Sequence, residues 1–267
     1  MLGLSAIFLS YTNSPQIHQM NLKCIDTLVN SEDFITNFNL EIIFIESNKN
    51  YRNNGYHLPQ NVKVIVPESN FNFHRFLNIG IKNSQYEYLA LCNNDLLFKP
   101  HWFSEIIEIA NQNPKILSFS PADDGEHWKN NFELGYNIRT HIKGWCIVVK
   151  KELFNHIGML DETFDFYYAD DDYGLTLKHH KIPHALVKKS FVHHLGGANT
   201  ETRKKEVNKD FALITHKYPN LPKYFYTEGY NWILKNEKLL DGHLKFHKKW
   251  GSPKWISFKA KWRKIWS

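Results

Sequence analysis

Short apolar runs rich in β-branched and aromatic residues alternate along this chain with longer segments of mixed polarity. Residues 4–9, 40–46, 62–66, 88–92, 116–120, 144–149 and 185–192 read as strands. Residues 15–28, 77–84, 101–111, 151–157 and 171–180 read as helices, the first opened by Pro15 with Ser14 as its N-cap. Between them lie an Asn-rich loop at 47–61 and a polar stretch at 121–142, a length that in a compact domain often belongs to a substrate site. Residues 201–244 read as helical and surface-facing. Strand and helix in alternation predict an α/β fold built from βαβ units.

Composition narrows this little. At 267 residues, 42% hydrophobic and 22% charged, the chain suits one large domain or a domain plus an appendage, and disordered and fibrous classes are excluded. Cys24, Cys92 and Cys146 are too sparse and too widely spaced for a disulfide framework or a thiolate metal site, and read as buried, reduced thiols. The apolar run at 4–9 has no preceding Lys or Arg and no small-residue cleavage site after it, so it reads as a strand rather than a signal segment. No run approaches the roughly 20 apolar residues that span a bilayer.

Charge changes the picture. The net +6 is concentrated at one end: residues 245–267 contain seven lysines, Arg263 and no acid, which leaves the remainder at −2. The same stretch carries Trp250, Trp255, Trp262 and Trp266, and on a helix Trp255, Phe258, Trp262, Ile265 and Trp266 fall within an arc of roughly 100°. A basic amphipathic helix of this kind suits the surface of an anionic membrane, with indoles at headgroup depth. A terminal helix packed on the domain or on a partner subunit is the competing reading. Nucleic acid is not an expected partner, because the body offers no second basic surface.

Two clusters are candidates for chemistry. Asn93, Asn94 and Asp95 follow the strand at 88–92, at the carboxyl end where open α/β sheets bind ligands; the same residues are also common turn formers. Asp170, Asp171 and Asp172 follow the aromatic run 164–168, and adjacent acids there call for a cation, a helix N-terminus or acid/base work.

The order of these segments resembles the family 2 nucleotide-sugar glycosyltransferases, and within them the bacterial rhamnosyltransferase-like branch. Four stretches over residues 4–197 carry the resemblance: IFLSYTN (7–13), IIFIESN (42–48), residues 70–95 ending in CNND, and residues 144–197 from GWCIVVKKELF through DFYYADDDYGL to VHHLGG. It implies a GT-A, Rossmann-like mixed and mostly parallel sheet over residues 1–200, followed by a helical extension (201–244) and the basic tail (245–267).

The resemblance also implies roles. Asn13 and Glu46 line the nucleobase and ribose pocket, with Glu46 standing where the family usually has Asp. Arg75 and Asn78 lie in the segment beneath the donor, and Arg75 suits a diphosphate. Asn93 and Asp95 occupy the place of the D-x-D motif. Asp95, with His194 from the last strand, is implied to hold Mn²⁺ or Mg²⁺ on the two phosphates, and His193 should point the other way. Asp170 is the implied general base, although Ala169 replaces the acid that usually precedes it. Asp171 and Asp172 border the acceptor or cap the following helix, and Trp145 stacks on a sugar or packs in the core.

The implied activity is an inverting, metal-dependent hexosyl transfer from a nucleotide-diphospho-sugar to a glycan or lipid-linked glycan. Its setting would be surface polysaccharide synthesis (lipopolysaccharide or capsule), on the cytoplasmic, inner face of the membrane. The alternative is a noncatalytic, membrane-docked sugar-binding or assembly subunit of the same fold.

Overall fold

A computed structural model describes residues 2–123, 130–138, 140–196, 217–218, 221, 233–234 and 236–251. Most of the expected helical extension and the amphipathic helix expected over residues 255–266 lie outside the described residues.

The strands are β1 (Leu2–Ser10), β2 (Phe38–Glu46), β3 (Val62–Ile65), β4 (Tyr88–Asn93), β5 (Leu96–Phe98), β6 (Ser118–Ala122), β7 (Phe132–Leu134), β8 (Cys146–Lys150) and β9 (His184–His194). Among the described residues the helices are α1 (Pro15–Val29), α2 (Phe73–Asn83), α3 (Trp102–Gln112), α4 (Leu153–Ile157), α5 (Ala169–His179) and α6 (Glu237–Trp250), with a 3₁₀ turn at Tyr51–Asn53. The sheet order is β3-β2-β1-β4-β8-β6-β9-β5, with β7 also paired to β9. β3, β2, β1 and β4 are mutually parallel; β8 runs against them, β6 and β9 run with them, and β5 and β7 oppose β9. The chain is therefore a mixed α/β fold with a mostly parallel central sheet flanked by helices, as the sequence predicts.

Period two explains the apolar runs. Along β1, Leu4, Ala6 and Phe8 enter one core cluster and Ile7 and Leu9 the other; β2 divides Ile42 and Phe44 from Ile43 and Ile45 in the same way. A strand covered on both faces has no polar positions to alternate with. Helices α1 and α3 supply Cys24, Ile25, Leu28, Trp102, Phe103 and Ile106 to the first cluster. Helices α2, α4 and α5 supply Phe76, Leu77, Ile81, Leu153, Tyr173 and Leu177 to the second. Each fully buried aliphatic or aromatic side chain contributes about 1.5–3 kcal/mol. Helix α2 packs so closely that a Cβ on Gly80 would collide with Ile7.

The departures from expectation are local. Ser14 caps α1 as expected, its Oγ accepting the Ile17 N–H at 3.3 Å. Helix α2 starts four residues before the expected 77, because Asn72 caps it by accepting the Arg75 N–H at 2.8 Å. The stretch 121–142, expected to be loop throughout, contains strand β7, and β5 has no counterpart among the expected strands. Three-residue strands are too short to show a period. The three cysteines are buried and free, with Cys92 and Cys146 Sγ 3.7 Å apart across β4 and β8.

Two compact units divide the chain: residues 1–162 with 170–198, and residues 163–169 with 199–267. In the second, α6 is capped by Asn236, whose side chain accepts the Leu239 N–H at 3.2 Å. Leu240, Ile233 and Leu234 form a small apolar cluster there. Tyr168, at a left-handed φ of 66°, is tied to the helix by a 2.7 Å hydrogen bond between its hydroxyl and His243 Nδ1. Burial lowers the pKa of His243 to about 4, so it stays neutral. Helix α6 runs through residue 245, so Lys245, Lys248, Lys249 and Trp250 continue a helix that begins eight residues earlier.

Candidate functional site

One edge of the first unit gathers most of the expected residues, and strand register is the reason. Ser10 pairs with Glu46 and Leu9 with Asn93 in parallel, so the turns after β1, β2 and β4 emerge together. Strand β8 runs the other way and pairs Cys146 with Cys92, which brings the residues before it, Gly144 and Trp145, to the same edge. The Asn93 N–H donates to the Trp145 carbonyl at 2.9 Å. Strand β9 pairs His194 with Leu96, one residue after Asp95.

At the β1–β2 side, Glu46 is 1% exposed and its carboxylate is saturated from within. It accepts the Thr12 N–H at 3.0 Å, the Thr12 hydroxyl at 2.6 Å and the Asn48 N–H at 2.8 Å. The Asn48 side chain in turn donates to the Thr12 carbonyl at 2.6 Å. Asn94 belongs to the same buried network, donating to Asn21 at 2.6 Å, while Asn21 donates to Thr12 at 2.9 Å. Glu46 therefore shapes the turn that presents exposed Asn13, and the amide of Asn94 is structural. Thr12 and Asn21 carry no chemical signal of their own by which the sequence could have singled them out.

The Asp95 carboxylate is different. It is 7% exposed, and its Oδ1 accepts no hydrogen bond although His194 Nε2 lies 3.2 Å away. A buried carboxylate oxygen left without a donor is costly unless a cation or a donor arrives with the ligand. Trp145 stacks on the His194 ring at 5.5 Å and packs against the core, so it fixes the imidazole from one side. His193, next in the strand, pairs instead with Asp123 at 3.2 Å. Among the described residues no set of three His, Cys, Asp or Glu side chains converges on a point. Asp95 and His194 offer two donor groups, and an oxygen-seeking divalent ion commonly takes one or two protein groups with the rest from phosphates and water. The donor set fits such an ion.

The second carboxylate sits at the start of α5. Asp170 rests directly on the backbone of Gly144, where a Cβ would collide with its oxygens. Burial, and secondarily the negative charge of Asp171, raise the pKa of Asp170 to about 6. The helix N-terminus favours the ionised form, so desolvation outweighs it. Asp171 is half-buried and Asp172 buried on the same first turn. Gly144 is the residue that makes room for this group, and its partner lies 26 positions away in the chain. Gly144→Ala should therefore cost about 1–3 kcal/mol of stability from overpacking and displace Asp170; a denaturation midpoint equal to the parent's would show that the seat is not tight.

Arg75 and Asn78 come together around Glu162. Arg75 Nε lies 2.8 Å from the Glu162 carboxylate with the guanidinium 40% exposed. Asn78 is buried, donating to the Leu160 carbonyl at 2.8 Å and to Glu162 at 3.1 Å and accepting the Leu160 N–H at 3.0 Å. Asn78 thus clamps the 160–162 segment onto α2. The hydrogen bonds from Arg75 and Asn78 hold the Glu162 carboxyl below its ordinary range.

A family model described as Glycosyl transferase family 2 matches residues 18–168, more than half of the chain. No curated protein matches significantly. The match runs from within α1 through the aromatic run before Asp170, and hence takes in the Asn93–Asp95 turn and Gly144.

Proposed function

This chain belongs to glycosyl transferase family 2, and we propose that it performs an inverting, divalent-metal-dependent transfer of a hexose from a nucleotide-diphospho-sugar to a hydroxyl of a glycan. Membership makes it a glycosyltransferase with a nucleotide-sugar donor and a glycan acceptor in general. The observation that carries the finer reading is the buried Asp95 oxygen with no hydrogen-bond partner, 3.2 Å from His194 at the carboxyl edge of the sheet.

Asp95 and His194 would hold Mn²⁺ or Mg²⁺. Bound there, the ion supplies positive charge to the departing diphosphate without proton bookkeeping. The protein's own residues divide the remaining work. Asn13 is exposed beside the Glu46-braced turn, where it can meet the nucleoside, and Arg75 offers its outer guanidinium nitrogens to phosphate. Asn93 fixes the strand end beneath the donor. Asp170, with a pKa of about 6, is ionised near neutral pH yet basic enough to accept a hydroxyl proton. The acceptor oxygen then forms a bond to the anomeric carbon on the face opposite the breaking bond to diphosphate, which inverts its configuration, and the proton resides on Asp170 until solvent removes it. Trp145, Asp171 and Asp172 would border the acceptor.

Thermal unfolding with UDP, GDP, dTDP or CMP and their sugar conjugates, each with Mn²⁺, Mg²⁺ or EDTA, tests this. One diphosphate at about 100 times its dissociation constant should stabilise by about 2.7 kcal/mol, and the shift should vanish with EDTA. No shift with any of them would favour a noncatalytic, sugar-binding subunit, a reading for which Ala169, 1% exposed at a position where the family usually has an acid, is the supporting feature.

The rhamnosyltransferase-like branch and a role in lipopolysaccharide or capsule synthesis belong to the same proposal, supported by the motif order and by the basic tail. No described helix is long and apolar enough to cross a membrane. We assign residues 245–267 to the inner, anionic face of a membrane, since five basic residues and three tryptophans follow α6, each charge contributing about 1 kcal/mol near such a surface. Removing residues 252–267 leaves α6 whole and should abolish sedimentation with phosphatidylglycerol vesicles; retained binding would place the contact elsewhere.

A further inference from the structure

A buried polar chain links β6, α5 and β9. Ser118 Oγ on β6 is 2.6 Å from the Tyr173 hydroxyl on α5 and 2.8 Å from His184 Nδ1 on β9. His184 Nε2 is 3.1 Å from the His141 carbonyl. Ser118 and His184 are fully buried and Tyr173 is 3% exposed.

The direction of every proton in this chain can be deduced. Burial lowers the pKa of His184 to about 3, so the ring is neutral and carries one N–H. A carbonyl only accepts, so that N–H is on Nε2 and donates to His141. Nδ1 must then accept from the Ser118 hydroxyl, and the Ser118 oxygen must accept from Tyr173 O–H. Tyr173 therefore donates to Ser118, Ser118 to His184, and His184 to the His141 carbonyl, with each proton donated once.

Each end of the chain lies on the segment that carries one half of the Asp170 seat. Tyr173 is three residues after Asp170 on α5, a spacing that places them on one helix face. His141 is three residues before Gly144, whose Cα the carboxylate rests on. Ser120, two residues along β6 from Ser118 and so on the same face, accepts the Lys143 N–H at 3.0 Å. The helix that carries Asp170 and the segment that receives it are thus pinned to the same strand.

We propose that Tyr173 and His184, joined through Ser118, are positioning residues that hold the Asp170 carboxylate against Gly144. The proposal deepens the reading of Asp170 as base, but its test does not depend on that reading. Protein labelled with ¹³C at aspartate carboxyls gives a titration curve for Asp170, assigned by its loss in Asp170→Asn. Tyr173→Phe keeps the buried ring and removes only the donor, so the fold should persist while the Asp170 midpoint falls by at least half a pH unit toward the ordinary aspartate value, as the helix relaxes and water reaches the carboxylate. Ser118→Ala, which breaks the chain at its centre, should give the same shift and serves if Tyr173→Phe does not fold. Leu177→Val, one turn further along α5 and outside the chain, should lower thermal stability without moving the midpoint. An unchanged Asp170 midpoint in folded Tyr173→Phe or Ser118→Ala, or an equal shift in Leu177→Val, would overturn the proposal. If the midpoint moves as expected but Asp170→Asn retains full transfer, the positioning stands and the base assignment fails.

Discussion

Asp170→Asn should lose about 10²- to 10⁴-fold in turnover, the range that a general base contributes, while binding nucleotide as tightly as the parent and becoming more stable at neutral pH. The stability gain follows from the raised carboxyl. The folded pKa of Asp170 is about 6 against an ordinary 3.8, so below about pH 3 the group is protonated in both the folded and the unfolded chain and nothing is lost. Between about pH 3 and 6 the unfolded chain ionises first, and stability falls as pH rises. Above about pH 6 the full penalty stands, of the order of 2–3 kcal/mol. Asparagine cannot ionise, so the variant should denature later than the parent at pH 7.5 and together with it at about pH 3. Parental turnover should rise with pH through about 6. A variant with undiminished turnover would remove Asp170 from the mechanism, whatever its stability.

Asp95→Asn should abolish the metal-dependent part of nucleotide binding. The substitution keeps the shape of the side chain and removes its charge, so the buried turn after β4 should survive. In the parent, a saturating nucleotide with Mn²⁺ should raise the midpoint by on the order of 5 °C, from about 2.7 kcal/mol at the scale of a chain this size. In the variant the midpoints with Mn²⁺ and with EDTA should coincide. A variant that still responds to the metal as the parent does would show that other groups bind it.

The strands β1, β2 and β4 were legible because both of their faces are buried and their apolar runs are unbroken. Helix α1 was legible through Ser14 and Pro15, and both chemical clusters through their acids. What escaped has a common cause in long-range contact. The seating of Asp170 on Gly144 spans 26 residues, and the saturation of Glu46 by Thr12 spans 34, and no local periodicity records either. Glu46 and Asn78 illustrate the point from the other side. The resemblance implies a place for Glu46 in the nucleobase and ribose pocket and for Asn78 beneath the donor, and the structure shows their polar atoms engaged by Thr12, Asn48, Leu160 and Glu162, so each holds a turn together. Strands β5 and β7 are three residues each, below the length at which a period is visible.

The reversed direction of β8 has a consequence for how the length of this chain can vary. Gly144 and Trp145 reach the site edge from the beginning of a strand, while Asn93 reaches it from the end of the neighbouring one. Side chains alternate along a strand, so one residue added within β8 would turn its Cys146 and Val148 side to the opposite layer and move glycine out from under the carboxylate. An extra residue in the turn around Ile35, which is 88% exposed, disturbs neither layer. Insertions and deletions among descendants of this sequence should accumulate at such turns and stop short of the five residues of β8.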